Sequence, residues 1–265
     1  MTMDKSQSLF KLTRLRPDFH RIESVDSTNN MVKTLLKQEP PQNPIVLASK
    51  QTGGKGRHGR KWLSPEGGLY LSVGIDLRIP VEQSPILVML VGCACVASIR
   101  ELTGTKVGLK WPNDLLIDDR KVGGILCELV TGLKDFYYVI AGIGINVNTN
   151  LENMHPTVQR TSTSLASIIG HPLSIERLAA DIINNIDTRL DQIESKQGID
   201  PILREWLEYS VTLGKEVSVD LGEQIITGKA IGITRDGSLI VEQGNGSPTH
   251  VTVGDVVHLR SDDTK

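Results

Sequence analysis

Cysteine is scarce: Cys93, Cys95 and Cys127 are the only three in 265 residues. Three cysteines exclude a disulfide framework. Cys93 and Cys95 lie in an apolar run and read as small core residues. The six histidines are scattered, and no His/Cys pair has metal-ligand spacing, so a structural zinc is not expected. Neither sign of charge dominates. With 29 Lys+Arg against 31 Asp+Glu the net charge is −2, which argues against a generally basic nucleic-acid binder but leaves room for a local basic patch. Long apolar runs are also missing. The longest uncharged stretch, Gln83 to Ile99, includes Ser84, Pro85, Gly92 and Ser98. It falls short of the roughly 20 apolar residues of a membrane span and predicts a buried helix, with no membrane partner. The opening MTMDKSQSLF has no hydrophobic signal region, so a soluble, cytoplasmic protein is expected. No internal repeat, low-complexity tract or long linker is visible.

The apolar fraction of 39% is ordinary for a globular protein. The length suits one large core with a small second domain. Residues 1–9 are polar and predict a frayed end. HRIESVDSTNN predicts a strand running into a helix over about 28–38, capped by Ser27 or Thr28 and ended by Glu39-Pro40-Pro41. IVLAS (45–49) predicts a buried strand, and GLYLSVGIDL (68–77) another. The apolar helix is expected over 84–103. KVGLKW, LLIDD and GGILCELV predict short strands, with DDRK (118–121) as a hairpin turn. FYYVIAGIGINVN predicts a strand that enters a glycine-containing turn. Helices are expected over about 162–170, 174–195 and 199–209. After Tyr209 the texture changes. EVSVDL, QIITGKAIGI, SLIVEQ and THVTVGDVVHL are short β-type runs separated by DLGE, RDGS and GNGS turns, which predicts a small all-β barrel.

The segment Lys50 to Trp62 carries the strongest chemical signal. No acidic residue occurs from Pro40 to Pro65, while Lys50, Lys55, Arg57, Arg60 and Lys61 are all basic. The loop 50–68 holds six glycines. Glycine lets backbone N–H groups approach a ligand, and the cations suit a phosphate or carboxylate. Gly54-x-Gly56-x-x-Gly59 matches a dinucleotide fingerprint literally, but no helix follows to receive the pyrophosphate. A P-loop is also a poor fit, because Arg60 and Lys61 replace its Lys and Ser/Thr. Three further clusters pair glycines or polar groups with strand ends: Lys110-Trp-Pro-Asn113-Asp114, Lys121-Val-Gly-Gly124-Ile and Gly142-Ile-Gly-Ile-Asn146. With the basic loop they suggest one shared binding face.

Taken in order, Ser27-Thr28-Asn29, Gln51, GKGRHGRKW (54–62), KWPND (110–114), KVGGIL (121–126) and GIGIN (142–146) resemble the biotin–protein ligases over roughly residues 20–260. The resemblance implies an α/β (α+β) catalytic domain with a mixed sheet and flanking helices over 21–210, followed by an SH3-like barrel over 211–265. Only residues 1–20 precede it, which implies a ligase without the DNA-binding domain of some relatives and without a nucleic-acid partner. The implied reaction joins biotin to ATP, giving biotinyl-5′-AMP and pyrophosphate, and then moves biotin to a lysine of a biotin carboxyl carrier protein domain. By resemblance, Arg57 and Lys121 offset the charge of two meeting anions, and Asp114 receives or orients the acceptor lysine. Ser27, Thr28, Asn29, Gln51, Lys55, Gly56, Arg57, Lys121 and Gly124 are the implied biotin contacts. Arg57, Arg60, Lys61, Trp62, Lys110, Asn113 and Asn146 are the implied nucleotide contacts, with Trp62 stacking on adenine. Mg²⁺ is implied with the pyrophosphate, and no permanent metal site of the protein. A homodimer is compatible with the resemblance. Lys55 and His58 stand where many members carry arginine. A lipoate–protein ligase and a non-catalytic biotin sensor are the weighed alternatives; the basic loop and KWPND favour biotin over the first, and the presence of Asp114 and Lys121 argues against the second.

Overall fold

The computed structural model describes residues 9–37, 42–131, 136–152, 154–222, 224–252 and 254–259. The expected frayed end and the helix stop at Glu39-Pro40-Pro41 lie outside the described residues, apart from Leu9. The first sheet contains β1 (Pro17–Val25), β2 (Asn43–Gln51), β3 (Leu69–Asp76), β4 (Gly108–Lys110), β5 (Asp114–Ile117), β6 (Arg120–Thr131) and β7 (Tyr137–Ile145). Its strand order is β1-β2-β3-β7-β6-β5-β4. Only β1 and β2 run parallel; every other neighbour is antiparallel. The sheet is therefore mixed.

Side-chain alternation splits this sheet into two faces. Ile45, Val139 and Ala141 face the main core, whereas Val46, Tyr138 and Ile140 face a smaller cluster with Val32 and Leu36. That smaller face is covered by α1 (Thr28–Leu35). The main face is covered by α2 (Ile86–Thr103), backed by α5 (Ile175–Glu194) and α6 (Asp200–Tyr209). By length and composition α2 could cross a membrane, but 67% of it is buried inside the protein. It is the central core helix, and Gly104 at φ 69° closes it with a left-handed cap. β3, buried over seven of its eight residues, reads as a continuous apolar run because both faces are covered.

Several boundaries differ from the sequence expectation. The first helix stops at Leu35, and Ser27 occupies its N-cap in extended geometry without a side-chain cap bond. The cap oxygen is thereby left to the cleft described below. GGILCELV belongs to a longer strand that already includes Lys121, because a tight turn at Asp118 and Asp119 (φ 48° and 58°) starts β6 at Arg120. A short helix that the sequence reading did not expect, α3 (Pro156–Thr161), precedes the one expected over 162–170, which is the shorter α4 (Leu165–Ile169). Ser162 between them is extended, and the Ser164 side chain caps the second.

The C-terminal unit is a five-stranded antiparallel sheet of β8 (Glu216–Asp220), β9 (Ile225–Ile233), β10 (Leu239–Glu242), β11 (Pro248–Val251) and β12 (Asp255–His258). Its order is β11-β10-β9-β8-β12. The run THVTVGDVVHL breaks into β11 and β12, with Gly254 at φ 150° between them. The two units are stapled at Trp111. Its backbone N–H donates to Thr212 Oγ1 (3.0 Å), and its indole N–H donates to the Gly237 carbonyl (3.0 Å).

Candidate active site

The ends of β2, β5, β6 and β7, the N-terminus of α1 and the rim of the C-terminal unit enclose a cleft of about 490 Å³. Nearly every residue singled out from the sequence lines it: Ser27, Thr28, Asn29, Gln51, Lys55, Gly56, Arg57, Arg60, Lys61, Trp62, Lys110, Asn113, Asp114, Lys121 and Gly124. Asn146 is the exception. It is buried behind the strand end, and its amide donates to the Thr163 carbonyl (3.1 Å). It ties the end of β7 to the residue-163 segment and is not among the residues that line the cleft.

One end of the cleft is a neutral polar wall. Gln51 Oε1 accepts from the Thr28 backbone N–H (2.8 Å) and lies 3.1 Å from the Thr28 hydroxyl. Gln51 Nε2 donates to Ser64 Oγ (2.9 Å). Ser72 Oγ sits 2.7 Å from Thr28 Oγ1 and 2.6 Å from Asn29 Oδ1. Asn29 Nδ2 donates to Glu128 Oε2 (2.7 Å). Ser64, Ser72 and Glu128 escaped the sequence reading. Ser72 did leave a trace, as the lone serine within the apolar run of β3.

The other end is basic. The lining cations Lys55, Arg57, Arg60, Lys61, Lys110 and Lys121 face only three carboxylates, Asp114, Asp220 and Asp255. Lys121 Nζ is 2.6 Å from Asp114 Oδ1 and 5.4 Å from the Trp62 ring centroid. Burial pushes the Lys110 ammonium below its usual range; Asp114 opposes the shift and Lys121 adds to it. Burial likewise lowers Arg57, against the pull of Asp255. An arginine stays charged at any neutral pH, so the field is intact.

The basic loop is a small hairpin. Gly56 N–H donates to the Arg60 carbonyl (2.7 Å), Trp62 N–H donates to the Gly54 carbonyl (2.9 Å), and His58 (φ 53°) and Gly59 (φ 72°) form its left-handed tip. Lys55 Nζ donates to Asn30 Oδ1 (2.8 Å), tying one arm to α1. The other arm is tied to the C-terminal unit. Arg57 Nη1 donates to the Gly254 carbonyl (3.2 Å), and Arg60 pairs with Asp255. This tie spans too much of the chain to be read from local pattern.

The floor explains the glycines of GIGIN. A side chain at Gly142 would place Cβ 2.2 Å from Asn29 Oδ1, and one at Gly144 would place it 2.6 Å from Trp62 Nε1. The indole therefore lies directly on the backbone of β7. Its Nε1 is buried and has no hydrogen-bond partner. A buried donor without an acceptor is costly, and it marks a position where a ligand oxygen or nitrogen would be favoured.

Comparison with known proteins fits this arrangement. The biotin/lipoate A/B protein ligase family matches residues 21–146, and the biotin protein ligase C-terminal domain matches residues 212–259. The bifunctional ligase/repressor BirA of Bacillus subtilis is 32% identical over 223 residues, covering 84% of this chain and 68% of the relative. The biotin–[acetyl-CoA-carboxylase] ligase of Mycobacterium tuberculosis is 32% identical over 222 residues, covering 82% of this chain and 79% of the relative. Among solved structures, the biotin protein ligase of Aquifex aeolicus in complex with biotin and ATP superposes with a TM-score of 0.77 at 30% identity, covering 92% of this chain and 99% of that one.

Proposed function

This chain belongs to the biotin–protein ligase family, and from that premise we propose how its cleft activates biotin with ATP and passes it to a lysine of a carrier domain. The observation that carries the proposal is the polarity of the cleft: a neutral hydrogen-bonding wall at one end and an excess of cations at the other. The wall of Thr28, Asn29 and Gln51, with the uncapped Ser27, suits the ureido head of biotin. Lys55, Gly56 and Gly124 bound the space between, and the valeryl carboxylate reaches Lys121 and Arg57.

In the first step a carboxylate oxygen attacks the α-phosphorus of ATP, and the bond to pyrophosphate breaks. Two anions must approach, so fixed positive charge lowers the barrier. Lys121 and Arg57 stabilise the charge that develops on the α-phosphate, while Lys61, Arg60 and Lys110 hold the other phosphates. Trp62 and Asn113 bound the adenine side. In the second step the carrier lysine, as a neutral amine, attacks the acyl carbon and AMP leaves. Asp114 orients that amine and takes its proton. No enzyme nucleophile is required.

Among the described residues, no group of three or more His, Cys, Asp or Glu is placed to hold a metal. Of the three cleft carboxylates, Asp114 and Asp255 are each paired with a cation, and Asp220 alone would be too few ligands. These residues do not fit a resident divalent cation, and Mg²⁺ enters this scheme only as the counter-ion that ATP carries on its phosphates. We infer a cytoplasmic enzyme whose macromolecular partner is the biotin carboxyl carrier protein domain of acetyl-CoA carboxylase or a related enzyme, and not a nucleic acid.

The test is ATP–pyrophosphate exchange with biotin and, in parallel, with lipoate, followed by mass spectrometry of a carrier domain. Exchange with biotin and a single biotinylated carrier lysine are expected. Exchange with lipoate alone would transfer the activity to the other branch of the family.

A further inference from the structure

The polar wall contains a chain of hydrogen bonds whose proton directions can be worked out. It starts at Glu128, whose carboxylate accepts from Asn29 Nδ2 (2.7 Å), as does the Leu126 carbonyl (3.4 Å). Both partners are acceptors only, so the Asn29 amide cannot be turned round. Its Oδ1 must face Ser72, 2.6 Å away. A serine hydroxyl has one proton, and Asn29 Oδ1 can only accept it. At its second contact, 2.7 Å from Thr28 Oγ1, Ser72 therefore accepts. The remaining neighbour of the Thr28 hydroxyl is Gln51 Oε1 at 3.1 Å, an oxygen held in place by the Thr28 backbone N–H. The single Thr28 proton thus has two internal acceptors. One lone pair of Thr28 Oγ1 is then left for a ligand in the cleft that Thr28 lines.

We propose that Glu128, Asn29 and Ser72 are positioning residues that hold the Thr28 hydroxyl as a hydrogen-bond acceptor, and so select a substrate whose head presents an N–H group to it. This rests on the cleft being the biotin site. Biotin's cyclic urea carries two N–H donors, whereas the dithiolane of lipoate has none. A buried acceptor left without its donor is costly, so a wall locked in this polarity discriminates more strongly than one free to rotate. Thr28, Asn29 and Ser72 are buried, at 4%, 5% and 0% exposed, and Glu128 behind them is half-buried. The relay also accounts for Gly142, since any side chain there would collide with the Asn29 amide.

The experiment measures dissociation constants by calorimetry for biotin and for two analogues, each with one ureido nitrogen methylated. The proteins are the full chain and its Ser72→Ala, Glu128→Leu and Glu128→Gln variants, with melting curves to confirm folding. In the unaltered chain, one analogue is expected to bind at least tenfold more weakly than biotin. In S72A the Thr28 proton keeps only the longer contact to Gln51 Oε1 (3.1 Å), and in E128L Asn29 Nδ2 keeps only the Leu126 carbonyl (3.4 Å). In both variants the ratio is therefore expected to shrink severalfold and the KM for biotin to rise, with kcat for pyrophosphate exchange unchanged. E128Q retains an acceptor for Asn29 and is expected to keep the ratio. An unchanged ratio in folded S72A and E128L overturns the relay. So does a loss in kcat with no change in ratio, which would mark a merely structural role. If the unaltered chain binds no biotin at all, the assignment of the cleft itself falls, an outcome distinct from loss of the relay alone.

Discussion

Lys121 and Asp114 face each other across the β5–β6 pair, with Lys121 Nζ 2.6 Å from Asp114 Oδ1. In the proposed scheme they serve different half-reactions, the ammonium adenylation and the carboxylate, once an amine arrives, transfer. Lys121→Gln should lower biotin-dependent pyrophosphate exchange by about a hundredfold or more, the scale expected for loss of one charged group at a developing oxyanion. Asp114→Asn should leave exchange within severalfold but slow transfer to a carrier lysine by about a hundredfold. Rapid-quench assays of the two steps separate these outcomes. Equal losses in both steps for D114N would remove the carboxylate's separate role.

Trp62 and Gly144 form the second testable contact. The indole rests on β7 only because residue 144 has no side chain, and its Nε1 is buried without a partner. Gly144→Ala should displace the indole, shift its fluorescence and weaken nucleotide binding by about tenfold, the cost of misplacing one well-packed aromatic contact. The change in Trp fluorescence on adding biotin and ATP should vanish in Trp62→Phe. If that change persists in W62F, Trp111 or Trp206 reports the ligand instead.

Asp255 joins the C-terminal unit to the basic loop by pairing with Arg60 and approaching Arg57 Nη1 at 3.9 Å. Arg60 is 65% exposed, so the pair contributes about 1 kcal/mol or less, and the melting temperature of Asp255→Asn should scarcely move. The loop is a different matter. Tryptic cleavage after Arg57 and Arg60 should accelerate severalfold in D255N without ligand, and biotin with ATP should restore protection. Unaltered cleavage would show that the tie does not order the loop.

His258 sits at the junction of the two units, with Nε2 3.2 Å from Thr212 Oγ1 and Nδ1 3.4 Å from Lys215 Nζ. Burial, then Lys215 and Lys110, hold its pKa down to about 4 from 6.5, with Asp119 opposing. The unfolded chain gains this proton near pH 6.5, while the folded chain stays neutral until about pH 4. By linkage, stability should be flat above that window and fall as pH drops through it. His258→Gln should lose less of its melting temperature between pH 7 and pH 5 than the unaltered chain. Parallel losses would assign the acid sensitivity to other groups.

Much of the candidate cleft is legible in the sequence. The acid-free loop from Lys50 to Trp62 and the KWPND, KVGGIL and GIGIN clusters each lie at the start or end of a strand beside the same cleft. Their signals are local: charge, glycine content and turn chemistry act within a few residues. The turn at Asp118-Asp119 and the left-handed glycine after α2 were set in the same way. The bond from Asn146 to the Thr163 carbonyl was not legible, because a polar residue at a strand end looks the same whether it points into a cleft or back at a neighbouring carbonyl.

The sequence by itself determined a basic, glycine-rich loop suited to an anion, a lysine and a carboxylate seven residues apart, and a mixed α/β unit followed by a small β unit. Only the tertiary structure decided which groups work together. β3 lies between β2 and β7, and this brings Ser72 to Thr28, 44 residues away. β6 brings Glu128 to Asn29 across 99 residues, and the C-terminal unit brings Asp255 to Arg60 across 195. The physical reason is that local patterning specifies strand, helix and turn, while strand order is settled by which apolar faces can be buried together. The direction of a proton in a hydrogen-bond chain depends on every partner being in place, so it exists only once that order has formed.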